Sequence, residues 1–424
     1  MSPNRLTFVI VGANLAGGSA TALLRDRGFD GRLVLIGAEP HPPYERPPLS
    51  KAYLRGETTF DDAVLHPQEW YAAHDVDLLL GTRAVSVDVR ERVVRLDDPA
   101  STAVAYDRLL IATGARNRRF DPPGRDLDGV FQLRTREDAD RIRARAARAS
   151  KAVIVGAGFI GCEVAASLRT VGLEVDVIDA GEVALERVLG PAAGRALEAV
   201  HLDHGVRFHH GQRVERFDGS RSAGVERVTT DAGTVIGCDL VVVGVGVEPA
   251  TDIALNSGIA LDNGIVTDAH LRTNVPDVFA AGDVANSFDP VFGRHVRVEH
   301  WDNALKGGAA AARSMLGDDV PYDEPHWFWS DQFDAEIQYA GMALRWDEFL
   351  VRGSVAERSF VGFYLADGIV RGVVGMNRGR DVRRSLALVK AGGPVDAADL
   401  LDPGVDLKDL AAGLGASTRM RRTG

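Results

Sequence analysis

One local pattern occurs twice in the chain: "FVIVGANLAGG" over residues 8–18 and "AVIVGAGFIGCE" over residues 152–163. Each is a short apolar run, then a turn rich in small residues, then an alanine-rich stretch with helical spacing. Near-continuous apolar runs suit strands covered on both faces, as in parallel sheets. "LVLIGAE", "LEVDVIDAG" and "CDLVVVGVG" are further runs of that kind. "GGSATALLRDRG" and "GCEVAASLRTVG" read as the intervening helices, with Gly28 and Gly172 as C-cap positions. The implied class is α/β, with a strand–helix–strand unit built twice.

The turns carry the chemistry. In G-x-G-x-x-G the first glycine permits the tight turn, the second lets the backbone approach a pyrophosphate, and the third lets helix pack on strand. The helix N-terminus then offers free N–H groups and the positive end of its dipole to the phosphates. Gly156, Gly158 and Gly161 meet all three demands, with Phe159 and Ile160 in the first helical turn. An acid some twenty residues on takes the ribose hydroxyls; Asp179, closing "LEVDVIDAG", fills that place. No arginine stands nearby to receive a 2′-phosphate, so NADH is expected rather than NADPH. The first loop offers Gly12, Asn14 and Gly17 around Leu15 and Ala16, with Glu39 as its acid. Asn14 stands where the middle glycine belongs; asparagine tolerates left-handed backbone, and its amide can donate to a phosphate. Two loops with an acid after each imply two nucleotides, a resident flavin and a visiting nicotinamide. In "DVFAAGDVAN", Gly282 and Asp283 suit a strand end whose acid binds flavin ribityl hydroxyls; the alternative is a solvent-facing turn.

The 424 residues suggest two or three domains. A formal charge of -11 argues against nucleic acid or an anionic membrane as the main partner. Nowhere do 18 consecutive apolar residues occur, so no membrane span is expected. Arg5 before an apolar run mimics a signal peptide, but Gly12 and Gly17 fall at nucleotide-loop spacing. With only Cys162 and Cys238 there is no CxxC pair, iron–sulfur ligand set or disulfide framework, and a reducing compartment, the cytoplasm, is expected. "RTREDADRIRARAARASK" reads as a solvated helix face. After about residue 325 shorter alternating runs, with a turn at Asp367-Gly368, predict an antiparallel sheet in a separate C-terminal domain.

The order of "GANLAGG", "YERPPLSK", "LLIATGA", "GAGFIGCE", "GVGVEP", "VFAAGDVA", "EHWDNA" and "WSDQ" resembles the NADH-dependent ferredoxin reductases of bacterial oxygenase systems, along essentially the whole chain. The resemblance implies two Rossmann-like, glutathione-reductase-like nucleotide-binding domains and an α+β C-terminal interface domain. FAD would take residues 1–113 and 245–320, NAD residues 114–244, and the interface domain residues 321–424. It also implies cofactor contacts at Arg46, at Ala112, Thr113 and Gly114 of "LLIATGA", at Gly246 of "GVGVEP", and at Trp301 and Trp329. Core or interface packing is the other reading of the two tryptophans. Thiol-dependent relatives need a reactive cysteine, which "HPPYERPPLSK" lacks. Lys51 stands there instead. The resemblance places it by the flavin N5 edge, paired with Glu163, where a fixed ammonium stabilises the charge left by hydride arrival. Without the resemblance, the two would read as a surface lysine and a helix glutamate. Departures from the family pattern are Asn14, Ala250 and Gly307.

The expected reaction runs from NADH through FAD to a one-electron acceptor, a [2Fe-2S] ferredoxin that supplies a cytochrome P450 or ring-hydroxylating dioxygenase. The alternatives are a rubredoxin reductase and an NADH-responsive flavoprotein redox sensor. The expected state is a monomer. "RGVVGMNRGRDVRR" carries Arg371, Arg378, Arg380, Arg383 and Arg384 against Asp381, so 5 − 1 gives +4 within a chain of -11. It is either a dock for an acidic partner or a solvated turn and helix start.

Overall fold

The computed structural model describes residues 5–98, 102–220 and 222–422. They form two compact units, each assembled from three chain segments. The first comprises residues up to Glu45, Asp61–Arg116 and Val247–His326. Its centre is a parallel sheet in the order Val278–Ala280, Arg108–Ile111, Thr7–Val11, Arg32–Ile36, Val76–Leu79. The apolar runs are continuous because both faces are buried. Phe8, Ile10, Leu33, Leu35 and Leu110 meet Ala20, Leu24, Ala311 and Met315 on one face. Val9, Val11, Val34 and Ile111 meet Val94 and Val104 of a three-stranded antiparallel sheet on the other.

Helices Leu15–Asp26 and Trp301–Leu316 cross on the first face. The crossing is close because Gly308 has no side chain: a Cβ there would stand 2.2 Å from the Ala16 carbonyl oxygen. Both expected glycine stops are present. The first helix and its counterpart Phe159–Thr170 each end one residue before a cap, followed by Gly28 at φ 77° and Gly172 at φ 104°.

The second unit comprises Arg46–Phe60, Asn117–Gly246 and Trp327 onward. It repeats the parallel design, in the order Arg207–His209, Glu174–Ile178, Lys151–Val155, Leu240–Val243, Val130–Gln132. The charged stretch is the helix Arg136–Ala146, started by a reciprocal capping box between Thr135 and Asp138 and buried only along Ala139, Ile142 and Ala146. The C-terminal segment forms an antiparallel sheet in the order Trp327–Gln332, Ala335–Gly341, Ile369–Met376, Ser359–Ala366, Glu348–Ser354. Its central hairpin turns through Asp367 and Gly368, both at positive φ (54° and 71°), the two-residue geometry whose twist matches the flanking strands. Helices Gly379–Ala391, Ala397–Leu401 and Leu407–Arg422 follow. The expected α/β class with an α+β C-terminal part is what forms. Among the described residues no helix is long and apolar enough to cross a membrane.

The neighbouring glycines of the Trp301–Leu316 helix give a test. A Cβ at Gly307 would meet nothing closer than 4.0 Å. Gly308→Ala should cost about 1–3 kcal/mol of stability through overpacking, whereas Gly307→Ala should be neutral or gain up to about 1 kcal/mol from helix propensity. Thermal unfolding of the two flavin-loaded variants measures the difference.

Candidate functional site

In each unit the motif residues gather where parallel strands end together. In the first, Val11 pairs in register with Ile111, and Ile111 with Ala280. The residues that follow, Gly12, Ala112–Gly114 and Gly282–Asp283, therefore share one edge. Chain connectivity reverses between these strands, the switch point at which open α/β sheets bind ligands. Gly12 turns at φ 117°, and a Cβ on it would stand 2.0 Å from the Ala112 carbonyl oxygen. A Cβ on Gly17 would stand 1.9 Å from Gly12's own oxygen. Leu15 and Ala16 are buried in the first helical turn, and Gly282 lies against Ala16. Thr113 Oγ1 donates to the Ala250 carbonyl at 2.7 Å, steadying the turn that Gly114 makes at φ 70°. Glu39, half-buried, accepts a 2.5 Å bond from Tyr44 Oη. Trp301 opens its helix, half-buried, and Glu45 has a carboxyl that burial holds above the usual range.

The second unit builds the same cradle. Gly156 turns at φ 102° against the Gly244 carbonyl, and Gly161 packs onto Gly156 as Gly17 does onto Gly12. Gly158 is different. Its backbone is ordinary extended chain (φ −78°, ψ 179°), and a Cβ there would meet no protein atom within 4 Å. What this glycine provides is open space at a helix N-terminus whose first N–H groups have no intrahelical partner, which fits a pyrophosphate.

Asn14 at the equivalent place also takes extended backbone (φ −121°, ψ −163°). The left-handed tolerance expected of asparagine is not used, because this position never needed it; only the space is reduced. Phe159 packs edge-on to Phe328 at 4.8 Å, Ile160 is exposed, and Gly246 turns at φ 96° while accepting the Arg118 N–H.

Asp179 closes its strand as expected, and its two oxygens accept N–H bonds from Ala157 (2.6 Å) and Gly181 (2.7 Å). The carboxylate thereby braces the loop and keeps lone pairs for a ribose hydroxyl. Gly181 lies close to both Asp179 and Glu186. A 2′-phosphate would meet two carboxylates there.

Lys51 falls between two short helical turns, Pro47–Ser50 and Ala52–Arg55, the first stiffened by Pro47 and Pro48. Lys51 Nζ lies 2.7 Å from Glu163 Oε2, with the side chains 14% and 4% exposed. An isolated buried ion pair gains little over its desolvation cost unless the remaining lone pairs are satisfied. Here they are. Ser50 Oγ donates to Oε2 at 2.5 Å, and Ser330 Oγ donates to Oε1 at 2.5 Å. The Ser50 carbonyl is in turn held by Ser167 Oγ at 2.6 Å. Arg46 donates to the Arg134 carbonyl. Trp329 is half-buried and stacks on Trp327 at 5.4 Å.

Ser50 and Ser330 were missing from the expected site, although each adjoins a residue in it. Ser330 and Gln332 alternate with Trp329 along one strand and so face the opposite way. Both cysteines are buried packing residues. Burial pushes the Cys238 thiol up to about 12 and the Cys162 thiol higher still.

Residues 6–308 match the family model described as pyridine nucleotide-disulphide oxidoreductase, and residues 327–411 match the reductase C-terminal model. Rhodocoxin reductase of Rhodococcus erythropolis is 37% identical over 405 residues, 95% of this chain and 94% of that one. The ferredoxin--NAD(+) reductase component of the anthranilate 1,2-dioxygenase system of Burkholderia cepacia is 39% identical, covering 95% and 98%. Among solved structures, the covalent putidaredoxin reductase–putidaredoxin complex is similar at a TM-score of 0.92 and 35% identity, covering 97% of this chain and 99% of that one.

Gly158→Ala separates space from fold. The melting temperature should stay within about 1 °C of the parent, since nothing in the protein is met, while KM for NADH rises roughly tenfold. Thermal unfolding and steady-state kinetics on one preparation check both halves.

Proposed function

The chain belongs to the pyridine nucleotide-disulphide oxidoreductase family, as a ferredoxin reductase of the kind that serves oxygenase systems, and we propose that it moves electrons from NADH through FAD to a small [2Fe-2S] ferredoxin. The observation that carries this reading is the pairing of two phosphate-fitting loops with thiols that are buried and held protonated. A disulfide relay needs an accessible thiolate, so the electrons have to leave to another protein.

When bound, FAD couples a two-electron donor to one-electron acceptors. The residues of the chain bind, orient and balance charge. Gly12, Asn14 and Gly17, with Glu39 and Asp283, are assigned to FAD; Gly156, Gly158, Gly161 and Asp179 to NAD. Lys51 is assigned the fixed positive charge where hydride delivery leaves negative charge, with Glu163 holding its ammonium in place. Trp329 is assigned to the flavin's exposed edge, and Arg46 and Trp301 to cofactor contact. The division into FAD residues 1–113 and 245–320, NAD residues 114–244 and interface residues 321–424 is part of the same proposal, as is a cytoplasmic location.

For the acceptor, the basic stretch is less positive in the folded chain than in the sequence. Arg378 pairs with Asp381 at 2.6 Å and Arg384 with Asp406 at 3.2 Å, so 5 − 2 gives +3. Arg380 and Arg383 are exposed, and Arg383 also donates to Gln338 at 3.1 Å. They are the better candidates for steering an acidic ferredoxin. Arg380→Glu/Arg383→Glu should lower the rate of ferredoxin reduction roughly tenfold at low salt and flatten its ionic-strength dependence. NADH reduction of the flavin should be untouched.

The founding test is anaerobic mixing with NADH and, separately, NADPH, followed at the flavin absorbance band. NADH should bleach the protein at least roughly a hundredfold faster than NADPH. Lys51→Met should slow that step by roughly two orders of magnitude, the range found when one preorganised charge-stabilising group is lost. Comparable rates with the two nucleotides would overturn the cofactor assignment, and an unaffected Lys51→Met variant the role of the lysine.

A further inference from the structure

The donors around Glu163 are themselves held in place by a longer chain. Beyond Ser330, Gln332 Nε2 lies 2.9 Å from Ser330 Oγ, and His201 Nε2 lies 2.7 Å from Gln332 Oε1. Ser330, Gln332 and His201 are completely buried, on two elements remote in sequence: the strand Trp327–Gln332 and the helix Glu186–Asp203.

Proton inventory sets the direction of every link. Beside the Lys51 ammonium Glu163 is a carboxylate and only accepts, so Ser330 donates to it. The serine oxygen then accepts from the Gln332 amide nitrogen, which turns the Gln332 carbonyl toward His201. His201 therefore donates from Nε2 and leaves Nδ1 bare; that nitrogen is buried without a hydrogen-bond partner. Burial pushes the basicity of His201 down to about 4, and its charged or titratable neighbours are His204 and Glu198. A neutral imidazole is the form this direction requires. An amide in mid-chain transmits orientation and not protons, so the chain is a brace and not a proton wire.

We propose that Ser330, Gln332 and His201 are positioning residues: an oriented hydrogen-bond chain that fixes the Glu163 carboxylate, and through it the Lys51 ammonium, for flavin reduction by NADH. This rests on the roles assigned above to Lys51 and Glu163. Removing the Ser330 donor leaves Oε1 buried and unsatisfied, which favours protonated Glu163. As pH falls, Lys51 then loses its counter-charge and the rate falls with it. Other ionisable groups acting at this place include Asp331, solvent-accessible on the same strand yet with a carboxyl that partial desolvation holds above the usual range, which feels Lys51, Glu163 and Glu336, and the protonated Cys162 thiol.

The test uses the full flavin-loaded chain, mixed anaerobically with NADH between about pH 5.5 and 8.5. Ser330→Ala should reduce its flavin roughly ten- to a hundredfold more slowly, as loss of a hydrogen bond to a charged group implies. It should also acquire an acid limb that persists in Ser330→Ala/Asp331→Asn. Ser330→Thr should restore rate and profile. Gln332→Glu places a second acceptor beside Ser330, diverts its proton, and should behave as Ser330→Ala does; if the alanine variant does not fold, this one decides by the same criteria. Independently of turnover, nitrogen NMR of labelled histidine should show a neutral Nε2–H imidazole that does not titrate in this range and is lost in His201→Phe, whereas the signal of buried His300, whose basicity burial also lowers, remains.

A wild-type rate for both Ser330→Ala and Gln332→Glu, or slowing with no acid limb and no rescue by threonine, overturns the proposal. So does a His201 that titrates or carries its proton on Nδ1. A wild-type rate in Glu163→Gln would instead overturn the underlying Lys51–Glu163 reading.

Discussion

A carboxylate almost entirely removed from water has to be answered by donors on all sides, and Glu163 sets that requirement for the second unit. The turn carrying Ser50 and Lys51, the helix carrying Glu163 and Ser167, and the edge strand carrying Ser330 converge on two oxygens. The donors come from two pieces of chain, each remote in sequence from Glu163, so the cluster forms only when those pieces fold together. A polar network of this kind is high-stakes: complete, it rigidifies; with one partner removed, it leaves a buried charge unanswered. The cluster is one of the ties, beside the 2.6 Å bond from Tyr53 Oη to Asp140, that hold the short Arg46–Phe60 segment to residues distant in sequence.

The two glycine loops separate roles usually credited to glycine as a whole. At Gly12 and Gly156 a positive φ and a facing carbonyl both forbid a side chain. At Gly17 and Gly161 the helix is too close to its own strand turn. At the middle position neither holds, and the backbone is ordinary in both loops. Replacing that glycine by Asn14 therefore leaves the turn intact and changes only what a ligand meets. The substitution that looked most damaging in the motif falls at the position the fold constrains least.

Much of this was legible in the sequence for local reasons. Continuous apolar runs became doubly covered strands, Gly28 and Gly172 ended their helices, and Asp367-Gly368 made the hairpin turn, because each depends on neighbours a few residues away. The Lys51–Glu163 pair came from family resemblance and not from the residues, and the structure brings those two side chains into contact. Ser330, Gln332 and His201 had no local signal. A serine and a glutamine in a strand are unremarkable until a helix residue 131 positions earlier presents a buried imidazole to the glutamine. The count of +4 over the Arg371–Arg384 stretch could not include Asp406, which pairs with Arg384 from beyond it.

Burial of the two thiols also bears on what this protein can endure. Oxidative damage to cysteine begins at the thiolate and climbs through sulfenic to sulfinic and sulfonic acids. Neither Cys162 nor Cys238 reaches that first rung, being enclosed and held protonated. A flavoprotein feeding oxygen-consuming partners works where peroxide is a standing hazard, and this chain meets it with both of its cysteine thiols out of the solvent's reach.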